Sequence, residues 1–594
     1  MRPRLAIRRL DSRTVPGLLR DTASRLPDKV FIHFVDPAAP TAPPREVTYS
    51  AFRTAASRVA RGLSAHGLGP GHRVLLLAEN SPEWQEVALG TQLLRAEPVA
   101  LFASLSAEPA RAIAARVSPR AVFVSGPAQW EKLAPSAGAL AEAGLKLVVS
   151  GEPLPEGSAP AGVELLPLSA LLGEGVPALP AAELERLTDA VGEEDPFLLL
   201  FTSGTTGRPK GVRLPQRSLV HAVEAGHGAV GTSERDLGLH FLPFAHVAGH
   251  DQFVLALSEG HALAMIARRE DLDRALALSP TYLFSVPMVY DRVRLAVEAK
   301  LDGLPVPLRA LARSALAAAA RVRLEGSRGL ADRALTRVAD RLVGKAVRAR
   351  LGGNVRGLFS GGAPAAPVLY RFFETLGIPF VELYGMSETG GLISSNLFDG
   401  VRREASAGLL TPDHEVRFGP DGELLLRGPL LLSGYLDAED TLAAFDDEGY
   451  FHTGDIARLD AKGMLQVEGR KKHLLVLSTG KKLSPEPIEQ AIASAAPIEG
   501  AVLLGEGKPF VSAAVFVAKV ELDRLAAQGL DASEALLPRV RAALGAFSEY
   551  EKPKRLVIIS GAPQDHPALI TPTLKLKREA VVDSIRPRIA EVYG

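Results

Sequence analysis

Residues 202–212 read TSGTTGRPKGV, and the rest of the chain is organised around them. The run follows Phe197–Phe201, an apolar stretch with the signature of a buried strand. Small, hydroxyl and glycine residues then crowd together and end on Lys210. A Gly-rich turn lets backbone N–H groups approach an anion, Ser and Thr hydroxyls add donors, and a lysine adds a point charge for a phosphate. The P-loop spacing of nucleotide triphosphatases is absent, since Lys210 is followed by Gly211 and not by Ser or Thr. A Ser/Thr/Gly tract by itself also reads as a surface loop.

The chain has 594 residues, too many for one core, so two or more domains are expected. Lys+Arg and Asp+Glu both number 68, which gives no case for nucleic acid as a partner. The cysteine count is 0, which excludes disulfides, thiolate metal sites and a cysteine nucleophile. Any thioester must therefore take its thiol from a substrate. No apolar run has the length of a membrane-spanning helix. The N-terminus MRPRLAIRRL is basic but lacks the apolar core of a signal peptide, so a cytoplasmic protein is expected.

Residues 1–190 alternate amphipathic helices with short apolar strands. Helices are predicted from Thr48 towards Gly67 and over Ser81–Leu94, strands over His72–Leu77, Pro98–Phe102 and Ala121–Val124. Such alternation predicts an α/β fold with doubly covered, mostly parallel sheets. Pro153–Pro180, rich in Pro, Gly and Ala, reads as a surface excursion. Residues 308–356 form two Ala/Leu/Arg-rich helical stretches; such a basic face suits solvent or an anionic membrane surface. Residues 401–468 break into short strands between Gly/Asp turns, a β-barrel or β-subdomain.

Further motifs follow in order: LPFAHVAG to Gly249, VPMVY from Val286, SGGAP from Ser360, ELYGMSETG from Glu382, YFHTGD ending on Asp455, GRKKH from Gly469 and TPTLKLKR from Thr571. A histidine after an apolar strand end also reads as a core residue. Taken together, the series resembles the adenylate-forming (AMP-binding) superfamily, and its long-chain fatty acyl-CoA synthetases in particular.

The resemblance implies a large AMP-binding domain over 1–469, with the β-subdomain at 401–468. A small mobile α+β domain follows over 470–594, hinged near Lys472. It implies a phosphate loop of Thr202, Ser203, Gly204, Thr205, Thr206 and Gly207, with Lys210 beside it. His246 would lie at the acyl entrance and assist adenylation, and Lys575 would be the catalytic lysine. Gly361, Gly362, Ala363 and Pro364 would form one wall for adenine. Glu382, Leu383, Tyr384, Gly385, Met386 and Ser387 would line the nucleotide, with Tyr384 stacked on the base. Asp455 would hold the ribose and Arg470 would face the nucleotide. Thr205 and Glu388 would hold Mg2+, a hard cation suited to oxygen ligands. Gly480 would serve the second half-reaction. Met288 stands where the family has arginine, and His473 where it has an acid.

The implied activity activates a medium- to long-chain fatty acid with ATP through acyl-AMP and transfers it to CoA. A ligase that loads a separate acyl carrier protein, and a non-catalytic nucleotide- or lipid-binding relative, are the alternatives. The insertion at 308–356 resembles that of long-chain members and suggests peripheral membrane contact.

Overall fold

The computed structural model describes residues 4–173, 175–202, 208–571 and 575–593. Two large sheets carry the fold. In the eight-stranded sheet, Pro196–Thr202, Glu97–Phe102, Arg73–Ala78, Ala121–Val124, Leu147–Ser150 and Glu164–Pro167 run parallel. The edge strand Glu164–Pro167 lies in the stretch expected to be a surface excursion. Its carbonyl and amide groups extend the ladder, which local composition does not reveal.

The thirteen-stranded sheet has a parallel centre: Val30–Val35, Ala262–Ile266, Leu237–His240, Tyr282–Ser285, Gly357–Ser360 and Phe380–Met386. Phe380–Met386 then pairs antiparallel with Gly391–Ser395. The ladder runs on through Gly408–Leu410, Met464–Arg470, Phe451–Leu459, Glu423–Arg427 and Glu415–Phe418. The β-rich stretch expected at 401–468 is thus the antiparallel end of the large sheet.

Both sheets are covered on both faces, as the period of two along each strand requires. In Arg73–Ala78, Val74, Leu76 and Ala78 face the central core while Leu75 and Leu77 face an outer one. In Ala262–Ile266, Leu263 and Met265 join the central core while Ala264 and Ile266 join a second outer core. The central core is filled by Tyr49–Ala65, Pro82–Leu93, Gln216–Val230 and Val247–Glu259. Every residue of Pro82–Leu93 except Glu83 is buried, which explains why its sequence lacks a polar stripe.

The basic N-terminus is a structural anchor. Leu5 is buried, and Arg8 pairs with Glu259 at 3.0 Å, Arg9 with Glu224 at 2.9 Å and Arg13 with Glu224 at 2.6 Å. The helices predicted over 308–356 are Val306–Arg323, Leu330–Ala339 and Lys345–Arg350, the last two joined by a π-wound turn. Residues 475–592 build two hydrophobic clusters of their own around a three-stranded sheet. Among the described residues, no helix is long and apolar enough to cross a membrane.

Candidate active site

Parallel strands end on one side of a sheet, and the loops there form a crevice. Here the loops after Phe380–Met386, Gly357–Ser360 and Leu237–His240 open into one cleft of about 1960 Å³, which the 470–594 segment also lines. Ser203, Gly204, Thr205, Thr206 and Gly207 lie outside the described residues. Their flanks are placed: Thr202 ends its strand opposite Lys210, and both line the cleft. The Lys210 ammonium is 3.0 Å from Asp440 and 5.1 Å from the centre of the Tyr435 ring. Its charge is already held by a carboxylate, with which a phosphate would compete.

Gly361, Gly362, Ala363 and Pro364 line the cleft beside Glu382, Leu383, Tyr384, Gly385, Met386 and Ser387. Glu382 ties the two segments: its Oε1 accepts the Ala365 N–H at 2.9 Å. Its Oε2 is buried without a partner among the described residues, and burial raises the carboxyl to about 7. Gly385 admits no side chain, because a Cβ there would lie 1.8 Å from the Gly391 carbonyl oxygen. That close approach lets the strand pair tightly with Gly391–Ser395, and Tyr384 and Glu388 on either side of Gly385 both line the cleft.

Asp455 and Arg470 are opposite one another across paired strands. Arg470 Nε is 2.7 Å from Asp455 Oδ1, and the Tyr384 hydroxyl donates to Asp455 Oδ2 at 2.5 Å. Burial still outweighs Arg470 and holds the Asp455 carboxyl above its ordinary range. Glu388 is likewise raised by burial, and accepts a 3.1 Å hydrogen bond from the Tyr435 hydroxyl. Two carboxyls with raised pKa values beside one guanidinium make a site with room for more positive charge.

His246 caps the helix Val247–Glu259: its Nδ1 accepts the Ala248 N–H at 3.2 Å. An accepting Nδ1 leaves the proton on Nε2. Burial, then the neighbouring Lys575, lower His246 to about 4, so a neutral ring offers an N–H donor to the cleft. His250, by contrast, is a core residue, bound to Phe244 O at 2.6 Å and to Gln85 at 3.2 Å.

Lys575 enters the same cleft from the C-terminal segment. Thr571 N–H donates to the Lys575 carbonyl at 2.7 Å, and the Lys575 N–H donates to Thr571 Oγ1 at 3.0 Å. Enclosure by the cleft, then Arg470, lower the Lys575 ammonium to about 8, while Asp455 pulls the other way. Solvent still reaches the side chain through the open cleft. Lys472 lines the cleft and is lowered by burial. Its neighbour Lys471 pairs with Asp421 at 2.6 Å and Glu423 at 2.9 Å. His473 finds its acid in Glu486, 2.5 Å away. Gly480 is not brought to the site: it tips a hairpin at φ +80° with no atom near the position of a Cβ.

Three features escaped sequence reasoning. Asp440 and Tyr435 engage Lys210 across 225 or more residues of chain, a relation no local pattern carries. Gln564 donates to Met288 Sδ at 2.9 Å, so the residue standing in for arginine meets the C-terminal segment. Asp251 lines the cleft one and a half turns beyond His246, where HVAGHDQ offered an acid.

Comparison with known proteins agrees with this geometry. Residues 19–436 match the family described as AMP-binding enzyme, and 472–594 its C-terminal domain. The chain belongs to the AMP-binding enzyme family. It is 29% identical over 557 residues to the long-chain-fatty-acid–CoA ligase FadD15 of Mycobacterium bovis, covering 90% of each chain. It is 31% identical over 503 residues to the long-chain-fatty-acid–CoA ligase ACSBG1 of Macaca fascicularis, covering 80% of this chain and 67% of that one. In fold it is similar to the adenylation domain of a carboxylate reductase from Mycobacterium chelonae, with TM-score 0.77, 20% identity and coverage of 98% and 91%.

Proposed function

We propose that this chain is an ATP-dependent fatty acyl-CoA synthetase for medium- to long-chain acids. The observation that carries the reading is the convergence of Lys575, His246, Tyr384, Asp455, Arg470 and Glu388 on one cleft. The names and coverage of the ligase relatives support it.

The acid's carboxylate attacks the α-phosphorus of ATP, and pyrophosphate leaves. Anion meets polyanion, so the reaction needs positive charge at the phosphates and a dry site. Lys575 supplies a cation whose side chain arrives with the C-terminal segment. The Nε2–H of His246 orients the carboxylate. Asp455 accepts the ribose hydroxyls, and Tyr384 and the 361–364 turn enclose the base. Mg2+ fits the donor set: Glu388 is a carboxyl facing the cleft, and this cation is commonly held by one or two carboxylates with substrate phosphates. When bound it would neutralise phosphate charge.

The thiol of CoA then attacks the acyl carbon and AMP leaves. We assign that step to a second arrangement of the 470–594 domain, turned about Lys472, which would bring Gly480 to the cleft. The basic helices supply a surface for peripheral contact with anionic lipid. Val306, Leu308, Leu311, Leu330 and Leu342 are exposed there among arginines. Sedimentation with anionic and neutral vesicles tests it, and equal binding to both counts against it.

A pyrophosphate-release screen over saturated acids of increasing length, with CoA, with a carrier protein and with neither, tests the main reading. Acid-dependent release that needs no acceptor, followed by thioester formation only with CoA, is expected. Transfer only to the carrier would support the acyl-AMP ligase alternative. ATP binding without acid-dependent release would support a non-catalytic relative.

A further inference from the structure

The cleft has a branch between two helices. Gln216–Val230 presents Ala222, Gly226 and Val230 to it, spaced four apart on one face. Val247–Glu259 presents Val247, Asp251 and Leu255 at the same spacing. Leu255 Cδ1 lies 3.6 Å from where a Gly226 Cβ would be, so the two stripes face each other. All but one of these six positions are small or apolar.

The exception is Asp251. Neither of its oxygens has a hydrogen-bonding partner among the described residues, and Oδ1 is withdrawn from solvent. Its carboxyl is wedged against Gly391: a Cβ there would lie 2.2 Å from Asp251 Oδ2. Burial raises its pKa well above the ordinary range, with no cation to oppose it. On the same helix, Gln252 donates to Leu239 O at 2.9 Å and meets His240 Nδ1 at 3.0 Å, and His250 is bound to Phe244 O and Gln85. A buried polar group without a partner is costly and rare in native proteins. Facing a substrate cavity, it calls for a ligand that supplies the missing bond.

We infer that Asp251 is a specificity-determining residue that selects acids bearing a hydroxyl group on the hydrocarbon chain. A protonated carboxyl both donates to and accepts from a hydroxyl, and an ionised one accepts from it. An ammonium fits less well, because its desolvation in an apolar branch is far more costly than that of a hydroxyl. The inference rests on the fatty-acid reading of the cleft.

The test is pyrophosphate release by the full chain with dodecanoate and a positional series of monohydroxydodecanoates. Wild type, Asp251→Asn and Asp251→Leu are compared. Wild type is expected to prefer at least one hydroxy isomer by about tenfold in kcat/KM, the scale of one buried hydrogen bond. Asp251→Asn retains part of the preference, and Asp251→Leu removes or reverses it. The ratio between two acids within one variant cancels any general loss of activity or folding. Isothermal titration with the same acids reads the selectivity without catalysis, so a failure of the ligase reading is distinguishable. Preference of wild type for dodecanoate over every hydroxy isomer overturns the inference, as does a ratio that Asp251→Leu leaves unchanged.

Discussion

The Arg294 guanidinium donates a 2.9 Å hydrogen bond to the carbonyl of Ser494, 200 residues further along the chain. Arg294 is 2% exposed and also pairs with Asp291 and Glu298, each at 2.8 Å. These acids hold the guanidinium in the middle of the helix Pro287–Asp302, whose first turns line the cleft. Ser494 belongs to the segment that delivers Lys575. The contact therefore stabilises the arrangement in which Lys575 is in the cleft. Arg294→Lys keeps the charge but not the fork that reaches three partners. It should slow acyl-AMP formation roughly tenfold, the lower end of about 1.5–3 kcal/mol for a charged hydrogen bond. Thioester formation from supplied acyl-AMP should be unaffected. Equal slowing of both half-reactions at an unchanged melting temperature would show that Arg294 does not favour one arrangement.

Lys575→Ala should abolish acyl-AMP formation while sparing thioester formation from supplied acyl-AMP. The lysine also sets a pH limit. Its ammonium is lowered to about 8, so the cation is present below that pH and lost above it. The kcat/KM of adenylation, which reports the free enzyme, should fall as pH rises through about 8. Lys575→Arg should be slower but lack this alkaline limb. An alkaline limb that persists in the arginine variant would assign it to another group.

Asp455→Ala removes the acceptor that holds both Tyr384 and Arg470. Loss of charge-assisted hydrogen bonds to ribose should weaken ATP by about 1.5–3 kcal/mol, or ten- to a hundredfold. Titration calorimetry with ATP decides the matter, and an unchanged dissociation constant would rule out a ribose role.

Gly226 sits where the two helical stripes approach, and a Cβ there meets only Leu255 Cδ1 at 3.6 Å. Gly226→Leu is therefore compatible with the helix and should fill the branch. In wild type, kcat/KM should climb steeply from about six carbons, since each buried methylene contributes about 0.8 kcal/mol. The leucine variant should stop that climb at a shorter acid and leave the shortest substrates nearly untouched. An identical chain-length profile in the two proteins would place the acyl chain elsewhere. Acetate or benzoate outperforming every acid of ten or more carbons would refute the long-chain reading and spare the adenylation chemistry.

Local signals are strong wherever the physics is local. The alternation of Leu75 and Leu77 with Val74 and Leu76 marks a strand covered on both faces. The glycines and hydroxyls around Lys210 spell a sequence suited to an anion. The run from Glu382 to Glu388 is spelled by backbone needs, because Gly385 has no room for a side chain. These elements, and with them the doubly covered α/β fold and the motifs that line the cleft, could be read from the sequence.

The remainder depends on distances between residues far apart in sequence. Nothing near Lys210 announces Asp440, and nothing near Arg294 announces Ser494. Glu164–Pro167 looks like loop until its ladder partners are in place. Asp251 looks like an ordinary helix acid until two apolar stripes close around it and leave it without a partner among the described residues. Periodicity and turn chemistry act over a few residues and are written in the chain. Ion pairs, desolvation and the placing of Lys575 beside His246 arise only when the folded chain excludes water and brings remote groups together.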